Sequence, residues 1–148
     1  MDDIFFMNKA IELAKIALIK DEVPIGCVIV KDGAIIGSGY NKRITAKNVL
    51  YHAEIIAINE ACETFGDWRL EDCNLYVTVE PCPMCAGAIV QARIKRVVYG
   101  TANPKAGCCG SVLNLMNVAG FNHKVEITEG ICKDECAALM GGFFKRFR

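Results

Sequence analysis

At 148 residues, with 53% apolar and 23% charged side chains, the chain has ordinary globular composition and length enough for a core, so a single domain over residues 1–148 is expected. Its 17 basic and 17 acidic side chains cancel, which argues against a coat protein for long DNA or RNA and leaves room for a local footprint on a folded RNA. No apolar run approaches ~18 residues, no basic segment precedes an apolar one at Met1-Asp2-Asp3, and the nine cysteines are odd in number. Together these predict no membrane span, no signal peptide and a reduced, cytoplasmic protein rather than a disulfide scaffold.

Apolar residues at Ile4, Met7, Ile11, Ala14 and Leu18 follow helical spacing, with Asp2 or Asp3 placed to cap the start. Gly26 to Val30 is a β-branched run of the kind buried on both faces of a sheet, and Lys31-Asp32-Gly33-Ala34 is a hairpin signal leading to a second strand, Ala34 to Tyr40. A polar loop covers Asn41 to Val49, and a helix with a wide apolar face follows from His52 to about Thr64. Leu75 to Val79 reads as a third strand, ending at Glu80-Pro81 ahead of a helix over Cys82 to Ala92. Arg96 to Tyr99 is a short fourth strand, Gly100 to Ser111 a Gly- and Pro-bearing loop, Val125 to Thr128 a fifth strand, and Ile131 to Phe147 a closing helix. Strands alternating with helices after the first hairpin predict a mixed five-stranded sheet flanked by helices, a three-layer α/β/α sandwich.

The chemistry-bearing residues are His52-Ala53-Glu54 and Pro81-Cys82-Pro83-Met84-Cys85. One imidazole and two thiols make three zinc ligands and leave a tetrahedral ion one position for water, as in catalytic rather than structural sites. Cys82 and Cys85 are spaced to emerge on one face of a helix start, where free N–H groups and the helix dipole favour thiolates. Two thiolates and a neutral imidazole cancel the charge of a dication. Such an ion acidifies water less than an all-His site, and Glu54 is the carboxylate that would carry protons. Residues two apart on a regular helix do not face the same way, so His52 and Glu54 can share a pocket only if His52 stands at the cap.

Other readings fit parts of this pattern. Cys82 and Cys85 could be half of a closed four-Cys zinc site completed by Cys132 and Cys136, in a non-catalytic, zinc-stabilised binding module; Glu54 would then be idle. A thioredoxin-like redox pair would leave both His52 and Glu54 unexplained. Cys27, Cys62 and Cys73 read as small core residues, Cys132 and Cys136 as the buried face of the last helix, His123 as a loop residue, and Cys108 and Cys109 as potentially reactive thiols in a flexible loop. The ending Phe143-Phe144-Lys145-Arg146-Phe147-Arg148 is either an amphipathic helix with Phe in the core or a tail whose rings stack on bases and whose cations meet phosphates.

On the His52-Ala53-Glu54 and Pro81-to-Ala88 segments the chain resembles the cytidine-deaminase-like superfamily, and within it the bacterial tRNA-specific adenosine deaminases. The resemblance extends over Glu22 to Gly26, Asn41, Leu75 to Cys85, Val125 to Gly130 and Asp134 to Leu139, and the stretch from Asn122 through Phe143-Phe144 favours the tRNA enzymes. It implies a cytidine-deaminase-like fold, one zinc per subunit, a homodimer, and hydrolytic conversion of the wobble adenosine of a tRNA anticodon stem-loop to inosine, with no DNA substrate expected. Glu54 would take the proton of water, pass it to the ring nitrogen and later protonate the departing ammonia. By the same match, Asn41 contacts the flipped nucleoside, Val23 and the Ala53 backbone line the base site, and Asn103, Lys105, Asn122 and Phe144 border the loop nucleotides. The metal motif is shared with guanine, cytosine and riboflavin-pathway deaminases, so deamination of a free base or nucleoside is the alternative. One departure stands out: the family often carries Asp where this chain has Asn103, which weakens acceptance of a ribose hydroxyl and repulsion of misplaced phosphates.

Overall fold

Every expected helix and strand is present in a computed structural model describing residues 2–147. Met1, of the acidic opening, and Arg148, one of the terminal cations, lie outside the described residues. Helix α1 (Asp3–Ile19) is capped by Asp2, whose carboxylate accepts from the Phe5 N–H at 3.1 Å. Strand β1 (Gly26–Lys31) turns through Asp32 and Gly33, both left-handed with φ of 51° and 79°, into β2 (Ala34–Tyr40). Then come α2 (Ala53–Phe65), β3 (Asn74–Val79), α3 (Pro83–Gln91), β4 (Arg96–Thr101), a 3-10 turn at Leu115–Asn117, β5 (Glu126–Glu129) and α4 (Lys133–Phe147).

The strands lie in the order β2-β1-β3-β4-β5. Strand β1 is antiparallel to both neighbours, whereas β3, β4 and β5 run parallel, so the sheet is mixed and its chain direction reverses between β1 and β3. Two boundaries differ from expectation. Strand β4 runs on to pair Thr101 with Val79, so Gly100 and Thr101 belong to the sheet rather than the loop. Cys132 has a left-handed φ of 56° and precedes α4, which leaves only Cys136 on the helix's buried side.

Alternation along the strands builds two cores. Cys27, Ile29, Leu75, Val77, Val97 and Tyr99 pack with the alanines of α2 and with Ala86 and Ile89 of α3. Val28, Val30, Tyr76 and Val98 face the other way, against Phe6, Met7, Ala10 and Ile11 of α1 and Cys136 of α4. Each fully buried aliphatic side chain contributes roughly 1.5–3 kcal/mol, and both faces of the central strands are used, as a near-continuous apolar run predicts. Helix α2 lies close on β2: a Cβ added at Gly39 would sit 2.7 Å from the Ala53 carbonyl oxygen, so glycine there sets where the start of α2 rests. On the opposite face Arg96 grips Asp3 with two bonds of 3.0 and 2.8 Å and Thr128 with one of 3.1 Å, while the Tyr76 hydroxyl donates to Asp3 at 2.6 Å. This network ties the start of α1 to three strands. No helix among the described residues is long and apolar enough to cross a membrane.

Candidate active site at two helix N-termini

Strand β3 ends at Val79, and the chain enters α3 through Glu80-Pro81-Cys82 with Pro83 in the first turn, where its fixed φ suits a helix start. Cys82 is the N-cap of α3, with an extended backbone (φ −76°, ψ 175°), and Cys85 stands one turn in. His52 is likewise the N-cap of α2, extended at φ −79° and ψ 156°, which lets it share a pocket with Glu54 in the first turn. The two helix starts converge. His52 Nδ1 is 3.6 Å from Cys82 Sγ and 3.5 Å from Cys85 Sγ, and the three ligand atoms lie within 4.8 Å of one another.

That spacing fits a tetrahedral ion. Bonds of about 2.3 Å to sulfur and about 2.05 Å to nitrogen, at a tetrahedral angle, put N and S about 3.6 Å apart. Among the described residues no fourth His, Cys, Asp or Glu joins the group, and Cys132 and Cys136 are not part of it, so a closed four-Cys site is not assembled. Hydrogen bonds from Cys85 and His52 outweigh burial and lower the Cys82 thiol to about 4, while the bond to Cys82 and burial push Cys85 up. The bond to Cys82 likewise raises His52. Ligands bind metal deprotonated, and the protons shared here are the ones a cation would displace.

Glu54 is 4% exposed, and burial is the main reason its carboxyl rises to about 7, reinforced by the Cys82 charge and opposed by its own backbone N–H, His52 and Cys85. Its carboxyl therefore sits against the three-ligand group without completing it.

Val23, Ile25, Asn41, Arg43, His52 and Ala53 line a cavity of about 110 Å³ beside the group. Val23 and Ile25 also line a larger groove of about 590 Å³, with Val79, Thr101, Asn103, Lys105, Met140 and Phe144 among its other walls. The groove lies beyond the carboxyl ends of β3 and β4 and beside the start of β1, where the sheet reverses direction, the usual place for a ligand in an open α/β sheet. Of the positions implied by resemblance, Val23, Asn41, Ala53, Asn103, Lys105 and Phe144 thus share two adjoining depressions. Asn122 does not. It lines a separate cavity of about 270 Å³ with Gly87, Val90, Gln91, Arg93 and Phe121.

The closing helix divides between its two readings, with Phe143 at 7% exposure in the core and Phe144 at 41% on the groove. The expectation that Cys108 and Cys109 are reactive loop thiols is corrected. Both are buried, and burial pushes Cys109 up to about 12 and raises Cys108 as well. His123 is more than a loop residue, since its Nε2 pairs with the Ile94 carbonyl oxygen at 2.6 Å.

Two buried carboxylates escaped sequence reasoning. Glu22 accepts from the Ile44 and Thr45 N–H groups at 3.2 and 2.6 Å and pins the loop that carries Asn41 and Arg43. Glu80 gathers the loop after β4. The signal that could have found them is an acidic residue adjoining an apolar strand, where only satisfied hydrogen bonds make burial tolerable.

A family profile for MafB19-like deaminases matches residues 1–148. The chain belongs to the MafB19-like deaminase family. It is 47% identical over 146 residues to the tRNA-specific adenosine deaminase of Bacillus subtilis (strain 168), covering 99% of this chain and 91% of that one. A solved tRNA:A34 deaminase, which edits adenosine to inosine at the wobble position, superposes with a TM-score of 0.88 at 41% identity, over 91% of this chain and 98% of the other. A guanine deaminase from Bacillus subtilis is 44% identical over 69% of this chain and 66% of its own, with a TM-score of 0.66. The chain is a deaminase, a hydrolytic enzyme with a four-helix, five-stranded α/β fold, and its His52-Cys82-Cys85 group is placed to hold a metal ion.

Proposed function

We propose that this deaminase hydrolyses the wobble adenosine of a tRNA anticodon loop to inosine and ammonia, with zinc at His52, Cys82 and Cys85. The observation that carries the reading is the convergence of those three ligands with buried Glu54 beside a base-sized cavity that adjoins a larger, mostly apolar groove. A zinc ion there would acidify water and supply the nucleophile for the amine-bearing ring carbon. Glu54 accepts the proton of the attacking water and delivers it to the ring nitrogen. It then takes the proton of the newly added hydroxyl as the carbonyl forms and gives it to the departing amine, which leaves as ammonia, so Glu54 ends in its starting state. Burial suits Glu54 to both directions of transfer, because a carboxyl near neutrality gives and takes protons with little driving force lost.

Asn41 and the Ala53 backbone would hold the flipped nucleoside, with Val23 packing on the base. Lys105 would meet a phosphate, Phe144 would stack on a neighbouring base, and Asn103 would contact the ribose. Asn122 would border the loop nucleotides from a separate cavity. A homodimer and a cytoplasmic location belong to the same reading, and sedimentation of the purified protein tests the first.

The test is incubation of the zinc-loaded protein with an anticodon stem-loop bearing wobble adenosine, beside free guanine and cytosine. Inosine in the stem-loop supports the reading; turnover of a free base alone overturns it. Guanine is the second reading, supported by the partial likeness to a guanine deaminase, but a free base leaves the groove without a role.

A further inference from the structure

We infer that Glu80 is a positioning residue that shapes the polynucleotide groove without touching the reacting atoms, an assignment that rests on the proposed RNA substrate. Its carboxylate, 2% exposed, is gripped by one loop. The Asn103 N–H donates to it at 3.1 Å, the Cys109 N–H at 2.9 Å, the Ser111 N–H at 3.1 Å, and the Ser111 hydroxyl also donates. Buried as it is, this carboxylate has its acceptor capacity met by the bonds from Ser111, Asn103 and Cys109. Gly107 packs directly on the carboxylate, where an added Cβ would collide with it. The loop is therefore wound around an anion, with three amides pointing inward.

The position of Glu80 gives that winding a purpose. Its main chain donates to the Thr101 carbonyl oxygen at 2.9 Å, and the next residue, Pro81, accepts from the Cys108 N–H at 2.9 Å. Two residues on is Cys82. The same loop carries Asn103 and Lys105, which wall the groove. Asn103 is held further by its own turn, its Oδ1 accepting from the Ala106 N–H at 3.2 Å and its carbonyl from the Gly107 N–H at 2.8 Å. One side chain thus locks the groove wall to the strand end that leads into the metal-ligand turn. A loop prefolded around Glu80 spares RNA binding the cost of ordering it.

Glu80→Gln keeps the shape but turns a pure acceptor into a group with an N–H2 facing amide donors, so part of the loop comes free. For the zinc-loaded protein acting on the wobble-adenosine stem-loop, the expected result is a KM raised about tenfold or more, from loss of bonds to a charged acceptor. The kcat should stay within about threefold and the bound metal should be unchanged. Hydrogen exchange should quicken over residues 103–111 and not in α3. Ser111→Ala, which removes one donor from an exposed position, should shift KM the same way by a smaller factor and covers the case in which Glu80→Gln does not fold. Glu22→Gln is the comparator: it frees the Asn41-bearing loop through an equally buried carboxylate and should leave exchange over 103–111 unchanged. Unchanged KM and exchange in both Glu80→Gln and Ser111→Ala, a fall in kcat at constant KM, or loss of metal overturns the assignment while leaving the deaminase reading intact. A wild-type protein that makes no inosine removes both.

Discussion

Replacing Glu54 with Gln separates proton transfer from everything else the site does. The side chain is 4% exposed, so an isosteric amide keeps the packing that Ala would lose, and none of the three ligand atoms is altered. What disappears is a group able to move one proton from water to the ring nitrogen and a second from the added hydroxyl to the departing amine. Positioned acid–base groups contribute about 10²- to 10⁴-fold, equivalent to roughly 3–5 kcal/mol of barrier at ~1.4 kcal/mol per decade. Glu54 serves both halves of the reaction, so a fall in kcat toward the upper end is expected. Burial is the chief cause of its raised pKa, to about 7, which marks an unfavourable environment for charge, so the variant should unfold no more easily than wild type. Single-turnover inosine formation on the stem-loop, with metal content and thermal melting measured on the same preparations, checks all three. A variant within tenfold of wild type, or one that loses its metal, would refute this role for Glu54.

Three further expectations concern the rest of the molecule. The Arg96 guanidinium, helped by the Tyr76 hydroxyl, outweighs burial and holds Asp3 below the usual carboxylate value, so its contribution is present above the unfolded pKa of about 3.9 and disappears as pH falls through the folded one. Asp3→Asn should therefore cost about 1–3 kcal/mol by denaturant titration at pH 6–8, with the gap to wild type closing below about pH 4; a gap independent of pH would contradict this. Deleting residues 144–148 removes the groove-facing Phe144 while sparing buried Phe143, so stem-loop turnover should fall at least tenfold with little effect on any free-base turnover, whereas equal losses would mean the tail is merely structural. Asn103→Asp would keep an oxygen for the Ala106 N–H and add a second, anionic one at the groove, raising the RNA-to-DNA activity ratio on matched hairpins; an unchanged ratio would count against it.

Strands and helices were legible because their apolar spacing is regular, and the metal-ligand group was legible because its ligands cluster in two short motifs. What escaped depends on contacts between distant segments. Glu80 reaches amides 23 to 31 residues away; an acidic residue beside an apolar strand signals a buried carboxylate but does not show which later loop folds around it. Cys108 and Cys109 lie in a Gly-rich stretch that reads as exposed, yet that stretch is pulled inward by its bonds to Glu80 and Pro81. The sequence left the Phe-rich ending open between a core-facing helix and a base-stacking tail; successive residues on a helix point about 100° apart, so whether Phe143 or Phe144 met the core depended on how α4 docks. Asn122 was placed beside the loop nucleotides through resemblance, and only the fold shows that it lines a cavity apart from the groove.

The most direct test of the account is X-ray absorption at the zinc edge of the metal-loaded protein. Two sulfurs at about 2.3 Å with one nitrogen and one exchangeable oxygen near 2.0 Å, changing to a poorly bound site in His52→Ala, is the predicted result. Four protein ligands, or a first shell unaffected by losing His52, would contradict it.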